Sequence, residues 1–159
     1  MKLIEITPEN LKKLLKCLRA EDKEELKQTF GKNFREKFTK ISLQANEKYF
    51  LSDEDDNPLA IGGVEPYPAG KFKIGQVWLI SSIYFTDNKL KLAKFIKNKI
   101  EDFKKRNDIL FNIIHKSNFT ALKWLKRCGF KVMNLKNKDY KLFYYTKGGI
   151  DFDLRYITR

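Results

Sequence analysis

Apolar residues in the first part of the chain follow first a strand-like and then a helical spacing. Residues 2–7 alternate between polar and apolar positions and predict a short strand. Leucines at positions 11, 14, 15 and 18 then recur with the helical period. Thr7 is suited to cap this helix and Pro8 to its first position, so a helix is predicted from Pro8 to Arg19.

A second helix is predicted where Asp22 is followed three residues later by Glu25, an arrangement typical of a capping box. Phenylalanines at positions 30, 34 and 38, followed by Ile41, continue the helical period. Gly31 interrupts this pattern as a possible break.

A β-hairpin is predicted after these helices. Residues 47–51 and 59–64 form its strands, and the acidic segment 52–58 forms its turn. The turn lacks the glycine and the terminal glutamate of an EF-hand, so it is interpreted as a solvated turn rather than a Ca²⁺ site. Gly62-Gly63 is compatible with a bulge, with close approach of a ligand, or with a plain turn. Residues 76–82 are nearly all apolar and predict a central strand covered on both faces.

Helices and buried strands alternate in the second half of the chain. The clearest helix covers residues 88–106, with an apolar face and a lysine-rich face. A buried strand follows at 109–114 and a helix at 117–128, which ends at a glycine. Two final strands are predicted at 130–133 and 142–146.

The order of these elements predicts an α/β protein with a mixed, mostly antiparallel sheet flanked by helices. Residues 1–147 are expected to form a single domain. The tail, residues 148–159, is expected to pack on the sheet or on a partner, because its apolar residues would otherwise be exposed. Those residues are Ile150, Phe152, Leu154, Tyr156 and Ile157.

Several classes of protein are excluded by the composition. No run of residues approaches the length of about 18 apolar residues that a membrane span needs, and the start of the chain lacks a secretory segment. Cys17 and Cys128 lack metal-ligand spacing and are too few for a disulfide framework. His115 is the one histidine. We therefore expect no metal site and a cytoplasmic setting.

Positive charge is concentrated in one segment of the chain. The formal net charge is +13, from 33 basic and 20 acidic residues. Residues 88–147 hold 17 of the basic residues and 4 of the acidic ones, so they account for the whole surplus. This segment is either an ordinary solvated face or a surface for phosphates, on a cofactor or on nucleic acid.

The late helix resembles that of the GNAT superfamily of N-acyltransferases. Asn118, Ala121 and the Gly129-Phe130 pair have the spacing of the family's pattern. The element order over residues 1–147 is also similar. This resemblance implies a GNAT-like α/β fold.

A narrower resemblance is to a GNAT-like family of short-tailed bacteriophage proteins, described as internal virion or virion-morphogenesis proteins. It lies in four segments: PLAIGG at 58–63, QVW at 76–78, KWLK at 123–126 before Gly129, and TKGG at 146–149. This resemblance implies phage structural proteins or host proteins as partners, and a location in the host cytoplasm or the virion.

The GNAT resemblance also implies where acetyl-CoA would bind. The family holds the cofactor's pyrophosphate on backbone amides at the start of the helix after the central strand, in a loop with glycines. Residues 84–93 contain no glycine, and Lys91 stands where a glycine is expected. The residues that the resemblance assigns to the cofactor are Ile80, Ser82, Asn88, Lys89, Lys91 and Asn118.

Catalytic candidates are carried over from the same family. Glu65, expected in a loop after the hairpin, is a candidate base for the acceptor amine, and His115 is an alternative that is more typical of a structural histidine. The family's acidic tyrosine is replaced by Leu125, so Tyr144, with Tyr140 and Tyr145, is a candidate substitute. Asn118 is a candidate too, although it is also suited to cap its helix.

Three functions therefore stay open. The first is a GNAT-fold bacteriophage protein with a degenerate acetyl-CoA site, acting in virion assembly. The second is an active acetyl-CoA-dependent N-acetyltransferase. The third is a nucleic-acid-binding module that uses the basic segment and its aromatic residues, which would have to be exposed.

Overall fold

The computed structural model describes residues 1–151 and 153–157, and the side chains of residues 155 and 156 are not described. These residues form one seven-stranded sheet with the order β1-β2-β3-β4-β5-β7-β6. The strands are β1 (Lys2–Ile4), β2 (Glu47–Ser52), β3 (Pro58–Tyr67), β4 (Ile74–Ser81), β5 (Ile109–His115), β6 (Lys131–Asn134) and β7 (Tyr140–Thr146).

Five α-helices accompany the sheet within the described residues. They are α1 (Pro8–Lys16), α2 (Ala20–Phe30), α3 (Phe34–Gln44), α4 (Lys89–Arg106) and α5 (Phe119–Arg127). Two short 3-10 helices cover Ile83–Asn88 and Leu154–Ile157. The pairs β1–β2, β2–β3, β5–β7 and β6–β7 are antiparallel, whereas β4 and β5 run parallel across the α4 connection. The expected α/β class with a mostly antiparallel sheet is therefore confirmed.

The chain forms two compact units, of which the first comprises residues 1–64 and 78–96. Its main core cluster joins α1 to the strands, because the apolar face of α1 is turned inward. This cluster includes Leu11, Leu14, Leu15, Phe50, Ile61 and Ile80. The predicted cap of α1 is confirmed: the Thr7 hydroxyl accepts a hydrogen bond of 3.1 Å from the Asn10 amide.

The break predicted at Gly31 is confirmed: this residue adopts a φ of 78° and ends α2 before α3 begins, so α1, α2 and α3 are three separate helices. One detail of the first unit differs from the sequence prediction. Asp22 is not a cap. It lies in the first turn of α2, which begins at Ala20, and its carboxylate is buried.

The Gly62-Gly63 pair lies inside β3, not in a turn. Glycine is required at both positions because the backbones of the neighbouring strands lie too close for a side chain. A Cβ on Gly63 would lie 1.9 Å from the Glu47 carbonyl oxygen of β2, and one on Gly62 would lie 2.7 Å from the Trp78 carbonyl oxygen of β4. The close approach that these glycines permit is therefore an approach of the chain to itself.

The second unit comprises residues 65–77 and the described residues from 97 onward. β5 pairs along its length with β7, which also carries the edge strand β6. Its core cluster includes Ile74, Ile109, Phe111, Leu142 and Ile157, with Ile150 and Leu154 packed against it. Of the apolar tail residues, Phe152 lies outside the described residues, as does the side chain of Tyr156.

β3 extends further than predicted. The strand was expected to end at residue 64, with Glu65 in a loop, but it continues to Tyr67. Glu65 is therefore a strand residue at the start of the second unit.

Both ends of α5 match the prediction. Asn118 accepts a hydrogen bond of 3.4 Å from the Ala121 amide at the N-terminus. Gly129, with a φ of 86°, follows the C-terminal residue Cys128. Cys17 and Cys128 are free thiols. Among the described residues, no helix has the length and apolar character to cross a membrane, and no cluster of side chains could hold a metal ion.

Candidate functional site

The candidate residues of the first unit lie at and after the end of β4, where the backbone is bonded on both sides. The Ser82 amide donates to the Leu59 carbonyl of β3 at 2.9 Å. The neighbouring residues direct their polar backbone groups to the opposite edge, as strand geometry requires. There the Arg19 amide donates to the Ser81 carbonyl at 3.1 Å, and the Ile83 amide donates to the Cys17 carbonyl at 2.9 Å.

The connection between α1 and α2 thus pairs with the end of β4 as a short antiparallel bridge, centred on Leu18 and Ser82. A strand edge without a partner presents free amides and carbonyls to which an extended ligand can bind. At Ser81 and Ile83 these groups already have partners within the first unit.

Asp22 completes this arrangement. Its Oδ2 accepts a hydrogen bond of 2.7 Å from the Ser81 hydroxyl and one of 3.2 Å from the Ser81 amide. The Arg19 guanidinium lies 3.9 Å from the same oxygen. Burial raises the pKa of Asp22, and the hydrogen bonds from Ser81 and the charge of Arg19 oppose that effect.

Ser82, one of the predicted cofactor residues, has a fully buried side chain. Its hydroxyl donates to the Pro58 carbonyl and accepts from the Tyr84 amide at 3.2 Å. The Phe85 amide donates to the Ser82 carbonyl at 3.1 Å. These bonds start the 3-10 helix Ile83–Asn88, which runs directly into α4.

The 3-10 helix leads directly into α4, so the start of α4 differs from the helix start that the predicted phosphate site requires. The first amides of a helix are free to bind an anion when no helical turn precedes them. In this protein the 3-10 helix precedes α4, and its i to i+3 bonding uses such amides internally. Asn88 donates from its side chain to the Tyr84 carbonyl at 3.4 Å, within the same turn.

Two lysines at the start of α4 are exposed. Lys89 and Lys91 are both on the surface, and the charge of Lys91 contributes to lowering the pKa of Glu54, an effect dominated by the N-terminal ammonium. Ile80 is buried in the core cluster of the first unit. The predicted cofactor residues of the first unit are therefore two exposed cations and three residues held by internal contacts.

In the second unit, Asn112 occupies the point where the pairing of β4 with β5 ends. The parallel register runs from Ile74 with Ile109 to Gln76 with Phe111. The Asn112 side chain then donates to the Val77 carbonyl at 2.7 Å. Its oxygen accepts from the Gln76 side chain at 3.2 Å. A side chain thus continues the ladder for one further residue.

Asn118 and its neighbours form the start of α5. Asn118 is buried, and its own amide donates to the His115 carbonyl at 3.1 Å. The His115 Nδ1 lies 2.7 Å from the Ser117 hydroxyl and accepts from the Ser117 amide at 3.3 Å. The histidine ring also makes an edge-to-face contact with the ring of Tyr140. His115 is therefore a bonded residue of the turn between β5 and α5.

The remaining catalytic candidates also belong to the second unit. Glu65 is half-buried in β3. Tyr144 packs against the core cluster of this unit, with Phe111 and Leu142. Tyr145, next along β7, faces the other side and has the Lys104 ammonium 4.9 Å above its ring. Leu125, at the place of the family's tyrosine, is a core residue.

Solved structures with the same architecture were found. PH1933 from Pyrococcus horikoshii aligns with a TM-score of 0.70 and 14% identity, over 93% of this chain and 97% of that one. An acetyltransferase from Bacillus subtilis in complex with CoA aligns with a TM-score of 0.60 and 16% identity, over 92% and 97%. A Desulfovibrio desulfuricans protein assigned to the GNAT family of acetyltransferases aligns with a TM-score of 0.59 and 13% identity, over 91% and 96%. The chain has the GNAT fold.

No protein-family model matches the sequence, and no curated protein matches it. The GNAT resemblance read from the sequence is thus supported at the level of fold. The bacteriophage resemblance and the assigned site residues stay predictions.

Two residues with specific hydrogen bonds, one in each unit, were not predicted from the sequence. Asp22 matched a helix-cap pattern, and nothing in its local sequence indicates a bond to Ser81, 59 residues away. Asn112 had a usable signal, because it is a polar residue inside the otherwise apolar strand ILFNII. A polar residue that such a strand holds even partly out of water indicates a specific hydrogen-bond partner.

Proposed function

We propose that this chain is a GNAT-fold protein without the ordinary acyl-CoA phosphate site, and that it acts by binding other macromolecules. One observation carries the proposal: the backbone amides from Ser81 to Phe85 all donate hydrogen bonds to the chain's own residues. Glycine is absent from the following segment, and a 3-10 helix precedes α4. A diphosphate would have to displace this turn before it reached a set of free amides.

Exposed lysines do not replace such amides. Lys89 and Lys91 can attract an anion, but an exposed lysine is a flexible point charge, and its attraction is weakened by salt. Fixed backbone amides, by contrast, hold phosphate oxygens in a defined position. We therefore expect at most weak, salt-sensitive binding of CoA by this protein.

Virion assembly is the specific role that we assign within this proposal. It is supported by the sequence resemblance of four segments to GNAT-like internal virion proteins of short-tailed bacteriophages. Structural proteins of the particle or host proteins are then the partners. Detection of the chain by mass spectrometry in purified phage particles is the expected result, and its absence from particles that are otherwise complete would contradict the assignment.

The second candidate is an acyl-CoA-dependent N-acetyltransferase. Similar structures favour it, since the Bacillus subtilis acetyltransferase was solved with CoA and matches nearly the full length of both chains. In this alternative, Glu65 accepts the proton of the attacking amine. The exposed Lys89 and Lys91 attract the cofactor's phosphates.

Calorimetric titration and thermal unfolding with CoA and acetyl-CoA separate the two candidates. A ligand at 100 times its Kd stabilises the folded state by about 2.7 kcal/mol. Our proposal predicts no thermal shift at millimolar cofactor in 150 mM salt, and no release of free thiol from acetyl-CoA with a panel of primary amines. Saturable binding together with turnover would overturn it.

Binding of an anion to a chain of net charge +13 requires a control for non-specific attraction. The double variant Lys89→Glu/Lys91→Glu alters the candidate site. The matched variant Lys12→Glu/Lys13→Glu makes the same change of charge on α1. Binding that is lost only in the first variant identifies the site at α4 and contradicts our proposal. Equal weakening in both variants identifies general electrostatic attraction, as we expect.

A further inference from the structure

An exposed ridge of α5 combines one aromatic and three basic side chains. Phe119, Lys123 and Arg127 follow one another at intervals of four residues, and Lys126 adjoins them, so all four lie on one face of the helix. All four are exposed, whereas Leu122 and Leu125 on the other face are buried. These four residues are called the α5 ridge below.

Phe119 is the unusual member of the α5 ridge. Its side chain is 69% exposed, so the ring contributes little to the core of the second unit. Other aromatic rings of the second unit, by contrast, are packed: Phe130 contacts Phe143, and Tyr140 contacts His115. An aromatic ring that is open to solvent on the same helix face as three cations presents a flat apolar surface on an electropositive face.

The basic residues of the α5 ridge are not used in ion pairs within the described part of the chain. Elsewhere in the second unit, Lys104 pairs with Glu101, Lys105 with Asp102 and Lys116 with Asp139. None of the ion pairs among described residues includes Lys123, Lys126 or Arg127. The local surplus of charge is therefore not neutralised by neighbouring carboxylates.

We infer that the α5 ridge binds single-stranded nucleic acid. Lys123, Lys126 and Arg127 contact phosphates, and an unstacked base lies on the ring of Phe119. Proteins that bind single strands combine a positive surface with exposed aromatic rings on which bases stack. An unstacked base is available only in a single strand, so a duplex offers less to this surface.

A protein partner fits the same surface less well. The centres of protein interfaces are depleted in charged residues, and lysine in particular is less common there than on the rest of the surface. Three cations that follow an exposed aromatic ring along one helix face are an arrangement suited to a phosphate chain. This inference is independent of whether the chain binds acyl-CoA.

Fluorescence anisotropy with a labelled 20-nucleotide strand, as DNA and as RNA, tests the inference. Affinity should fall as salt is raised from 50 to 200 mM, because counterions are released on binding. The triple variant Lys123→Gln/Lys126→Gln/Arg127→Gln should bind at least tenfold more weakly at 50 mM salt. Its slope of log K against log salt should be smaller by about 2, since each phosphate contact on a single strand contributes about 0.7.

The matched control removes the same charge from the first unit. Lys12→Gln/Lys16→Gln/Lys23→Gln alters three exposed lysines and should retain most of the affinity. Equal losses in the two triple variants would show that total charge, not the α5 ridge, governs binding, and would overturn the inference. Circular dichroism and thermal unfolding check that each variant is folded.

Two further measurements test the partner and the ring. Phe119→Ala should weaken single-strand binding roughly fivefold or more, as expected for the loss of base stacking. Unchanged affinity in that variant would contradict the role of Phe119. Polyglutamate of equal charge serves as an acidic-protein probe. If it competes as strongly as the nucleic acid, the surface is a site for acidic proteins and the inference is wrong.

Discussion

Ser81 donates two hydrogen bonds to the buried carboxylate of Asp22, from its hydroxyl at 2.7 Å and from its amide at 3.2 Å. The bonds join the first turn of α2 to the last residue of β4. The carboxylate accepts a hydrogen bond from a backbone amide, in place of the carbonyl group that a neighbouring strand would supply at that edge. Asp22 therefore helps to hold the α1–α2 connection against the end of β4.

Removing the Asp22 carboxylate should destabilise the protein. In Asp22→Ala the buried amide and hydroxyl of Ser81 lose their acceptor, which costs about 1–3 kcal/mol of the free energy of unfolding. Asp22→Asn keeps one oxygen as an acceptor and should cost less. Urea denaturation at pH 7 measures both values. Asp87→Asn, which alters an exposed carboxylate, is the control. If Asp22→Ala lost less free energy of unfolding than this control, the role of Asp22 would be contradicted.

The pH dependence of stability provides a second test at Asp22. Burial raises the pKa of this carboxyl group above its ordinary value of 3.8, so the folded protein binds the proton more tightly than the unfolded chain does. The group's contribution to stability is therefore greatest below pH 3.8 and falls as the pH rises towards the folded pKa. As the pH rises through this interval, the free energy of unfolding of Asp22→Asn should increase relative to that of the wild type. Denaturation curves at successive pH values from 4 to 8 measure the difference, and a change of opposite sign would show that the pKa is lowered.

The contrast between Asp22 and Thr7 shows which features the sequence can predict. The Thr7 cap depends on residues three positions apart, so a local pattern predicts it correctly. Asp22 has the same kind of local pattern, but a partner 59 residues away determines its role. The same reason explains why apolar periodicity locates most helices and strands, whereas the extension of β3 through Glu65 depends on pairing within the sheet.

Lys104 is expected to stabilise the C-terminus of α5. Its ammonium donates to the Cys128 carbonyl at 2.6 Å and to Glu101 at 2.9 Å, and its side chain is only 14% exposed. A cation at this end of a helix satisfies a carbonyl that has no helical partner and interacts favourably with the dipole. Lys104→Met should lower the free energy of unfolding by about 1.5–3 kcal/mol, as expected for a hydrogen bond to a charged group.

Lys105 is the matched control for Lys104. It also pairs with an acidic residue three positions earlier, Asp102 at 3.4 Å, but its side chain is 76% exposed. Surface ion pairs of this kind contribute little, so Lys105→Met should change stability by less than about 0.5 kcal/mol. Guanidinium denaturation of both variants gives the comparison. Similar losses of unfolding free energy in the two variants would show that the bond to the Cys128 carbonyl adds no stability beyond that of an exposed ion pair.

Asn118 is both the cap of α5 and a candidate site residue, and substitutions can separate the two roles. Asn118→Ala removes the acceptor of the Ala121 amide and should cost about 1 kcal/mol of stability. Asn118→Asp retains an oxygen at that position and places negative charge at the helix N-terminus, so it should be close to the wild type. Thermal unfolding measures both variants. An Asn118→Asp variant as unstable as Asn118→Ala would show that an oxygen at this position is not sufficient to cap α5.

Gly63 should tolerate no larger residue, because it lies against the backbone of β2. A Cβ at this position would be 1.9 Å from the Glu47 carbonyl oxygen and 2.9 Å from its carbon, and neither atom belongs to a flexible side chain. Gly63→Ala must therefore displace one of two paired strands. The cost should exceed the roughly 1–3 kcal/mol of ordinary overpacking.

Gly148 provides the control, since a Cβ there would meet nothing within 4 Å and its φ lies outside the left-handed region. Gly148→Ala should leave stability unchanged or slightly raised, through the reduced entropy of the unfolded chain. Soluble yield and the midpoint of thermal unfolding compare the two variants. If Gly63→Ala unfolded at the temperature of Gly148→Ala, the tight pairing of β2 with β3 at residue 63 would be wrong.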